Sequence, residues 1–284
     1  METRRRALPP GWYPASAAEC RRDIEDFLRL SPPRPSELKC VSGGIVPHAG
    51  WFYSGKLAAW AFAAAAPERP RVVILFGGHL GRGEARVVLE DAWETPLGEV
   101  VLARGLAEEL KERLGACREG VSGDNTIEIH LPLLKFLFPE SQLLALRVPH
   151  TDAALAAGRE AAGLCRERSL SCVAFGSTDL THYGPSYDFM PVGLGERALE
   201  WVRRVNDARF IEAALDLDAE ALLRLGPWEG SACSAGAAAA AVAAARVLGA
   251  SRGHLLGSFT SADVEASGDS FVSDSFVGYA AVVF

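Results

Sequence analysis

The chain has 284 residues, 49% of them hydrophobic and 23% charged, with a formal net charge of −7. That length and apolar content suit one large core, and with no linker in view a single α/β domain over residues 1–284 is expected. The acidic balance offers no basic face for nucleic acid, no apolar run approaches the roughly 18 residues of a membrane span, and no secretory leader precedes Pro9-Pro10, so a soluble cytoplasmic protein without nucleic-acid or membrane partners is expected.

Gly11-Trp12-Tyr13-Pro14 opens the fold. Ser16 and Glu19 form a capping-box pattern that predicts a helix to about residue 30, with Ile24, Phe27 and Leu28 on one face and the prolines after Ser31 as its stop. A strand over 40–46 should end at Pro47-His48-Ala49-Gly50, with a helix over 56–66 behind it. A second strand, 71–76, runs into Gly77-Gly78-His79, and residues 80–83 should form a loop over the crevice. Their glycines make no nucleotide fingerprint, because Arg86 stands where a third glycine would be, and no phosphate-binding P-loop motif occurs. Residues 87–101 read as extended or hairpin structure turning at 96–98, followed by a helix over 103–114 that buries Leu106 and Leu110.

Asn125 or Thr126 should cap a helix carrying Glu128 and His130, which lie two apart and therefore on different faces; at most one points squarely into a site. His130 reads equally as a site residue and as a hydrogen-bonded histidine of the core or behind the site. A strand over 143–148 leads to Pro149-His150, a helix covers 152–168, and a strand over 171–175 enters the loop 177–184. Helices follow over 197–214 and 218–225, the latter capped by Asp218. Cys233 precedes the alanine run 237–245, a helix whose small side chains allow close packing. Extended segments from His254, taken as structural, and at 276–284 close the chain around a polar connection at 263–274.

Short apolar runs bounded by glycine and proline are typical of strands buried on both faces. They predict a three-layer sandwich with a central, largely parallel sheet. Four of the six histidines, His48, His79, His150 and His182, sit where such strands end, and parallel strands bring their carboxyl ends to one crevice. The six cysteines form no C-x-x-C pair, so reduced thiols, mostly small core residues, are expected. Cys233 is the exception, because a helix N-terminus favours its thiolate.

His48, His79 and Cys233 make a donor set suited to Fe(II), Zn or Cu. Asp179 and His182 can orient a substrate or shuttle a proton. Two alternatives stand beside this: histidines that merely satisfy strand-end hydrogen bonds, and a Cys233 nucleophile served by His182 or His48 with Asp179. A serine hydrolase is disfavoured, since no G-x-S-x-G elbow occurs.

Pro47-His48-Ala49-Gly50 with Tyr53-Ser54-Gly55, Gly77-Gly78-His79, the run from Asn125 to Pro132, and the run from Ser177 to Gly184, together with the Gly11-Trp12-Tyr13-Pro14-Ala15 opening, resemble the Memo family. The resemblance implies a fold similar to class III extradiol (LigB-type) dioxygenases. It implies metal ligands at His48, His79 and Cys233, with Asp179 and His182 as the pocket's catalytic Asp-x-x-His. Two positions depart from the family's pattern: Ser234 stands where glycine commonly follows the cysteine, and Gly77-Gly78 where Pro-Ser or Pro-Asn is common. The family's eukaryotic member is a mediator of cell motility, and the resemblance implies a role in signalling through metal or copper handling and peptide binding. Prokaryotic members are the B component of the AmmeMemoRadiSam system, which implies radical SAM and AMMECR1-type proteins as partners. The expectation is a mononuclear, dioxygenase-like oxidoreductase with Fe(II) favoured over Cu or Zn and a small-molecule or peptide substrate; the alternative is a non-catalytic metal- or peptide-binding protein with the same pocket.

Overall fold

The computed structural model describes residues 2–32, 34–265 and 274–284, apart from the side chains of Pro227 and Trp228. After a two-residue strand β1, Thr3–Arg4, comes helix α1, Ala17–Arg29, whose Ser16 cap accepts from the Glu19 amide and donates its hydroxyl to the Glu19 carboxylate. Strand β2, Gly43–Val46, starts three residues later than predicted because the Val41 amide turns away to the Glu68 carboxylate. A π-helical turn, Trp51–Gly55, feeds α2, Lys56–Ala65. Strand β3, Val72–Leu80, carries Gly77-Gly78-His79 inside it rather than after it.

Short strands β4, Arg86–Val87, β5, Ala92–Trp93, and β6, Val100–Val101, come next; β5 and β6 form the predicted hairpin, and β1 joins β5. Then follow α3, Arg104–Leu114, β7, Cys117–Arg118, α4, Asn125–Glu128, α5, Leu131–Leu137, β8, Gln142–Pro149, α6, Asp152–Glu167, β9, Cys172–Ser177, and β10, His182–Tyr183. Helix α7, Glu196–Trp201, passes through a π-helical turn, Val202–Asn206, into α8, Asp207–Leu215. The chain ends with α9, Ala219–Glu229, α10, Ala235–Val247, β11, His254–Thr260, α11, Ser261–Glu265, and β12, Phe276–Val283. Of the polar connection predicted at 263–274, residues 263–265 belong to α11 and residues 266–273 lie outside the described residues.

The main sheet runs β10-β12-β2-β9-β3-β8-β4-β7, with β11 also on β12. Its centre, β2-β9-β3-β8, is parallel as predicted. The flanks are not: β12 runs antiparallel to β2, β10 and β11 antiparallel to β12, and β4 antiparallel to β8. The sheet is therefore mixed, with antiparallel strands on both flanks of a parallel centre. Alternate residues of β3 feed opposite cores. Ile74 and Phe76 pack with α6 and α10, while Val73 and Leu75 pack with α2 and α5, which makes the helix–sheet–helix sandwich. Among the described residues, no helix is long and apolar enough to cross a membrane.

Helix α10 lies unusually near its neighbours because glycines face it. A side chain on Gly176 would meet the Ala237 carbonyl at 2.3 Å, and one on Gly158 would meet that of Ala240 at 2.1 Å. Behind the site, the buried Asp207 carboxylate accepts from the Thr181 amide at 3.1 Å and hydroxyl at 2.5 Å; Asn206 donates to that hydroxyl and accepts from Ser231, tying the loop before β10 to the turn before α10.

Gly158→Ala should cost about 1–3 kcal/mol of stability by overpacking, read by chemical denaturation, whereas Gly163→Ala on the same helix, with open space around it, should not. Burial pushes the Asp207 carboxyl up to about 7 against its Thr181 hydrogen bonds. The folded state thus binds this proton more tightly than the unfolded chain, so the contribution of Asp207 to stability declines as pH rises from about 4 to about 7. Asp207→Asn should flatten that dependence in melts across this range.

Candidate metal centre

Each donor reaches the crevice by a different local device. His48 follows β2, and its turn is stapled on three sides: its amide donates to Asp179 Oδ1 at 2.7 Å, its carbonyl accepts from Asn125 Nδ2 at 2.8 Å, and the Trp51 indole donates to the Ile129 carbonyl. His79 sits in a bulge of β3 where the pairing with β8 slips, at φ +57°, a left-handed conformation uncommon for a residue with a side chain. That strain turns the imidazole toward the crevice. Cys233 precedes α10; its amide donates to the Asp179 carbonyl, and the following Ser234 amide donates to Thr178 Oγ1 at 3.0 Å.

The donor atoms of His48, His79 and Cys233 all lie within 4.8 Å of one another. Tetrahedral zinc with its ordinary bond lengths would set nitrogen and sulfur roughly 3.5 Å apart, so a small contraction completes the site. The His48 and His79 rings meet edge to face, with centroids 4.9 Å apart, and His48 Nε2 stands 3.2 Å from Cys233 Sγ. Each histidine engages its other nitrogen: His79 Nδ1 faces Asp124 Oδ2 at 3.1 Å, and His48 Nδ1 faces Ser177 Oγ at 3.0 Å. This is how ligating imidazoles are usually oriented.

Burial opposes charge on every one of these groups, and the neighbours outweigh it. The Cys233 thiol is held well below its ordinary value by His48, His182 and His79 despite burial that pushes it up. His48 is raised by the thiolate and by Asp179 against its own burial, and His79 is raised to about 10 by Asp124 and the thiolate against its burial. Burial raises Asp179. Asp124 is lowered by His79, Thr126 and Arg147, which offset its burial; Arg147 Nη2 lies 3.0 Å away.

His182 stands at the side of this group. Its Nε2 is buried without a hydrogen-bond partner of ordinary geometry, so Cys233 acts on it as a nearby negative charge rather than as a bonded acceptor. Its ring lies against Tyr187, centroids 4.9 Å apart. Asp179, paired with it in the sequence motif, spends its described hydrogen bonds on the His48 and Ala49 amides, with Oδ2 3.9 Å from His48 Nε2. His150 Nδ1 accepts from the Gly236 amide at 3.3 Å and so satisfies the start of α10. His254 lies in β11 opposite Val283, away from the centre.

Several expectations need correction. Asp124, not Asn125 or Thr126, caps α4, because its Oδ1 reaches the Thr126 amide and hydroxyl. As expected, Glu128 and His130 face different ways: Glu128 binds the Ala7 and Leu8 amides and the Tyr13 hydroxyl and so anchors the N-terminal segment, while His130 turns toward Ser177. Of the cysteines, Cys20 and Cys165 are core residues, but Cys40 and Cys117 are exposed, and all six are free thiols. Asp124, Ser177 and Arg147 add supports beyond the predicted site residues; Asp124 directly precedes the Asn125 motif and Ser177 opens the run to Gly184, whereas nothing in the sequence marks Arg147.

The two departures from the family pattern meet in space. A Cβ on Gly78 would lie 2.3 Å from Ser234 Cβ, so glycine in β3 makes room for serine beside the cysteine. Gly78→Ala should therefore lower stability and displace Cys233, and adding Ser234→Gly should recover most of the loss. Denaturation midpoints of the two single variants and the double variant would check this.

A sequence model of the Memo family, described as Memo-like protein, matches residues 4–283. The chain is 31% identical over 294 residues to a MEMO1 family protein of Methanopyrus kandleri, covering 98% of this chain and 97% of that one. It is 31% identical over 288 residues to a MEMO1 family protein of Methanosarcina mazei, covering 100% and 99%. Its backbone is also similar, at a TM-score of 0.45 and 12% identity over 78% of this chain and 91% of the other, to an uncharacterized protein from Escherichia coli K12. With almost its whole length matched, the chain belongs to the Memo family.

Proposed function

We propose that His48, His79 and Cys233 hold one metal ion, Fe(II) in preference to Cu or Zn, and that the centre carries dioxygenase-like redox chemistry on a small-molecule or peptide substrate. The observation that carries this reading is two imidazoles and a thiolate converging within 4.8 Å, each imidazole with its second nitrogen already engaged. Bound there, iron would supply one-electron chemistry and open coordination positions.

The chain's own residues do the rest. Asp124 holds the proton on His79 Nδ1 and so aims Nε2 inward, with Arg147 fixing the carboxylate. His182 Nε2, buried and without a hydrogen-bond partner of ordinary geometry among the described residues, is the acid/base that gives or takes a proton beside the donor set. Asp179 keeps the His48 turn in place, and the Cys233 thiolate, with Asp179 after it, supplies the negative charge that favours a protonated His182 against its burial. The half-exposed Tyr187 ring forms the solvent side of the His182 pocket. The family relation supports a place beside radical SAM and AMMECR1-type proteins, and with it a protein-modification setting.

A second reading rests on the 3.2 Å contact of Cys233 Sγ with His48 Nε2: a thiolate–imidazole pair poised as a nucleophile. The third is a pocket that binds a metal or a peptide without turnover.

Elemental analysis of protein purified without oxygen, together with His48→Ala and Cys233→Ala, separates them. About one iron per chain, lost in both variants, is expected. Equal metal in all three proteins, or none in any, would overturn the metal assignment. Activity that survives chelators but disappears on alkylation of Cys233 would select the nucleophile. A metal-loaded protein that consumes no oxygen with any aromatic or peptide substrate would select the binding role.

A further inference from the structure

His48 and His79 are backed differently. Behind His79 is a carboxylate; behind His48 is a hydroxyl, and behind the hydroxyl a second histidine. Ser177 Oγ lies 3.0 Å from His48 Nδ1 and 2.9 Å from His130 Nε2, and all three residues are at most 1% exposed. His130 Nδ1, at the end of this line, is buried with no hydrogen-bond partner among the described residues. It packs with its ring edge-on to Phe62, at 5.5 Å between centroids, so it meets an apolar wall and not an acceptor.

We propose that Ser177 and His130 are positioning residues forming a one-way hydrogen-bond relay, His48 Nδ1–H to Ser177 Oγ–H to His130 Nε2, which holds His48 with its proton on Nδ1 and its Nε2 lone pair toward the metal. The proposal rests on the metal reading above. Its logic is a proton count. A histidine that ligates through Nε2 must carry its proton on Nδ1, where the atom it faces must accept. Ser177 Oγ is that atom. A hydroxyl has a single proton to donate, and the remaining atom within hydrogen-bond distance of it among the described residues is His130 Nε2, which must therefore be unprotonated.

A neutral imidazole has one ring proton, so that of His130 falls on Nδ1, the orphaned nitrogen. The opposite direction would pair the same atoms but leave a proton on His48 Nε2, facing the space the metal needs. Burial, reinforced by the charge on His48, keeps His130 well below the ordinary histidine range and so neutral. The relay thus orients one ligand without adding a carboxylate to Asp124 and Asp179 near Cys233, where a further negative charge would oppose the thiolate.

Two measurements test it. In metal-free full-length protein with 15N-labelled histidine, two-bond nitrogen–proton correlations read the tautomer of each ring. Protonated Nδ1 and bare Nε2 on His130 are expected, and a proton on His130 Nε2 would overturn the relay. Affinity for Zn2+ and Co2+, by competition with a chromogenic chelator, is then compared among wild type, Ser177→Ala, His130→Leu and His130→Gln. Ser177→Ala and His130→Leu should weaken binding about 10–100-fold, while His130→Gln, whose side-chain oxygen can accept in place of Nε2, should regain most of it. Wild-type affinity in both Ser177→Ala and His130→Leu would overturn the proposal, as would equal loss in His130→Gln and His130→Leu. If no protein binds metal, wild type included, the metal reading itself fails, and the relay is decided by the nitrogen spectra.

Discussion

Backbone packed directly against backbone, where helix α10 meets the carboxyl ends of the central strands, is the contact on which the rest of the centre depends. Gly236 at the start of α10 leaves no room for a side chain, since one would lie 2.2 Å from the Pro149 carbonyl at the end of β8; Gly176 and Gly78 are closed off in the same way by Ala237 and Ser234. Removing side chains from these surfaces lets a run of alanines from Ala237 to Ala241 sit fully buried on the sheet. The outcome is positional. A cysteine just ahead of that helix is carried to hydrogen-bond distance of a histidine 185 residues earlier.

Once there, the thiol changes character. Burial alone would keep it neutral, yet three imidazoles around it stabilise the thiolate more than the lost water destabilises it. The imidazoles gain in turn, and the acids behind them are arranged to suit. Asp124 is charged and backs His79, whereas Asp179 is spent on backbone amides of the His48 turn. This division explains how two aspartates near one centre can differ in role: Asp124 sits beside Arg147, and Asp179 is sealed against the chain.

The polar supports are as local as the ligands are scattered. The strand end and loop from Ser177 to Thr181 supply a hydroxyl for His48, a hydroxyl for the Ser234 amide, a carboxylate for the His48 turn, and a link to Asp207. Five consecutive residues, Ser177 to Thr181, thus hold both sides of the crevice together. Because most of these groups are buried, losing one leaves its partner unsatisfied, which costs more than the bond itself contributes.

Periodicity and punctuation in the sequence were enough to place the main helices, the four parallel strands and the strand-end histidines, since each depends on short-range chemistry: caps, proline stops, and apolar runs of strand length. The motifs around His48, His79 and Asp179 also pointed to one crevice. What the chain order could not supply was direction and partnership. That β12 runs against β2 is set by the pairing of Val282 and Val283 with Ile45 and Gly44, and that His79 occupies a bulge follows from the register of β3 with β8. That Asp124 backs His79 and Ser177 with His130 backs His48, and that Gly78 answers Ser234, are contacts between segments 45 to 156 residues apart. Such pairings are set by packing in three dimensions, where a hydrogen bond or a missing Cβ acts over a few ångströms regardless of the separation along the chain.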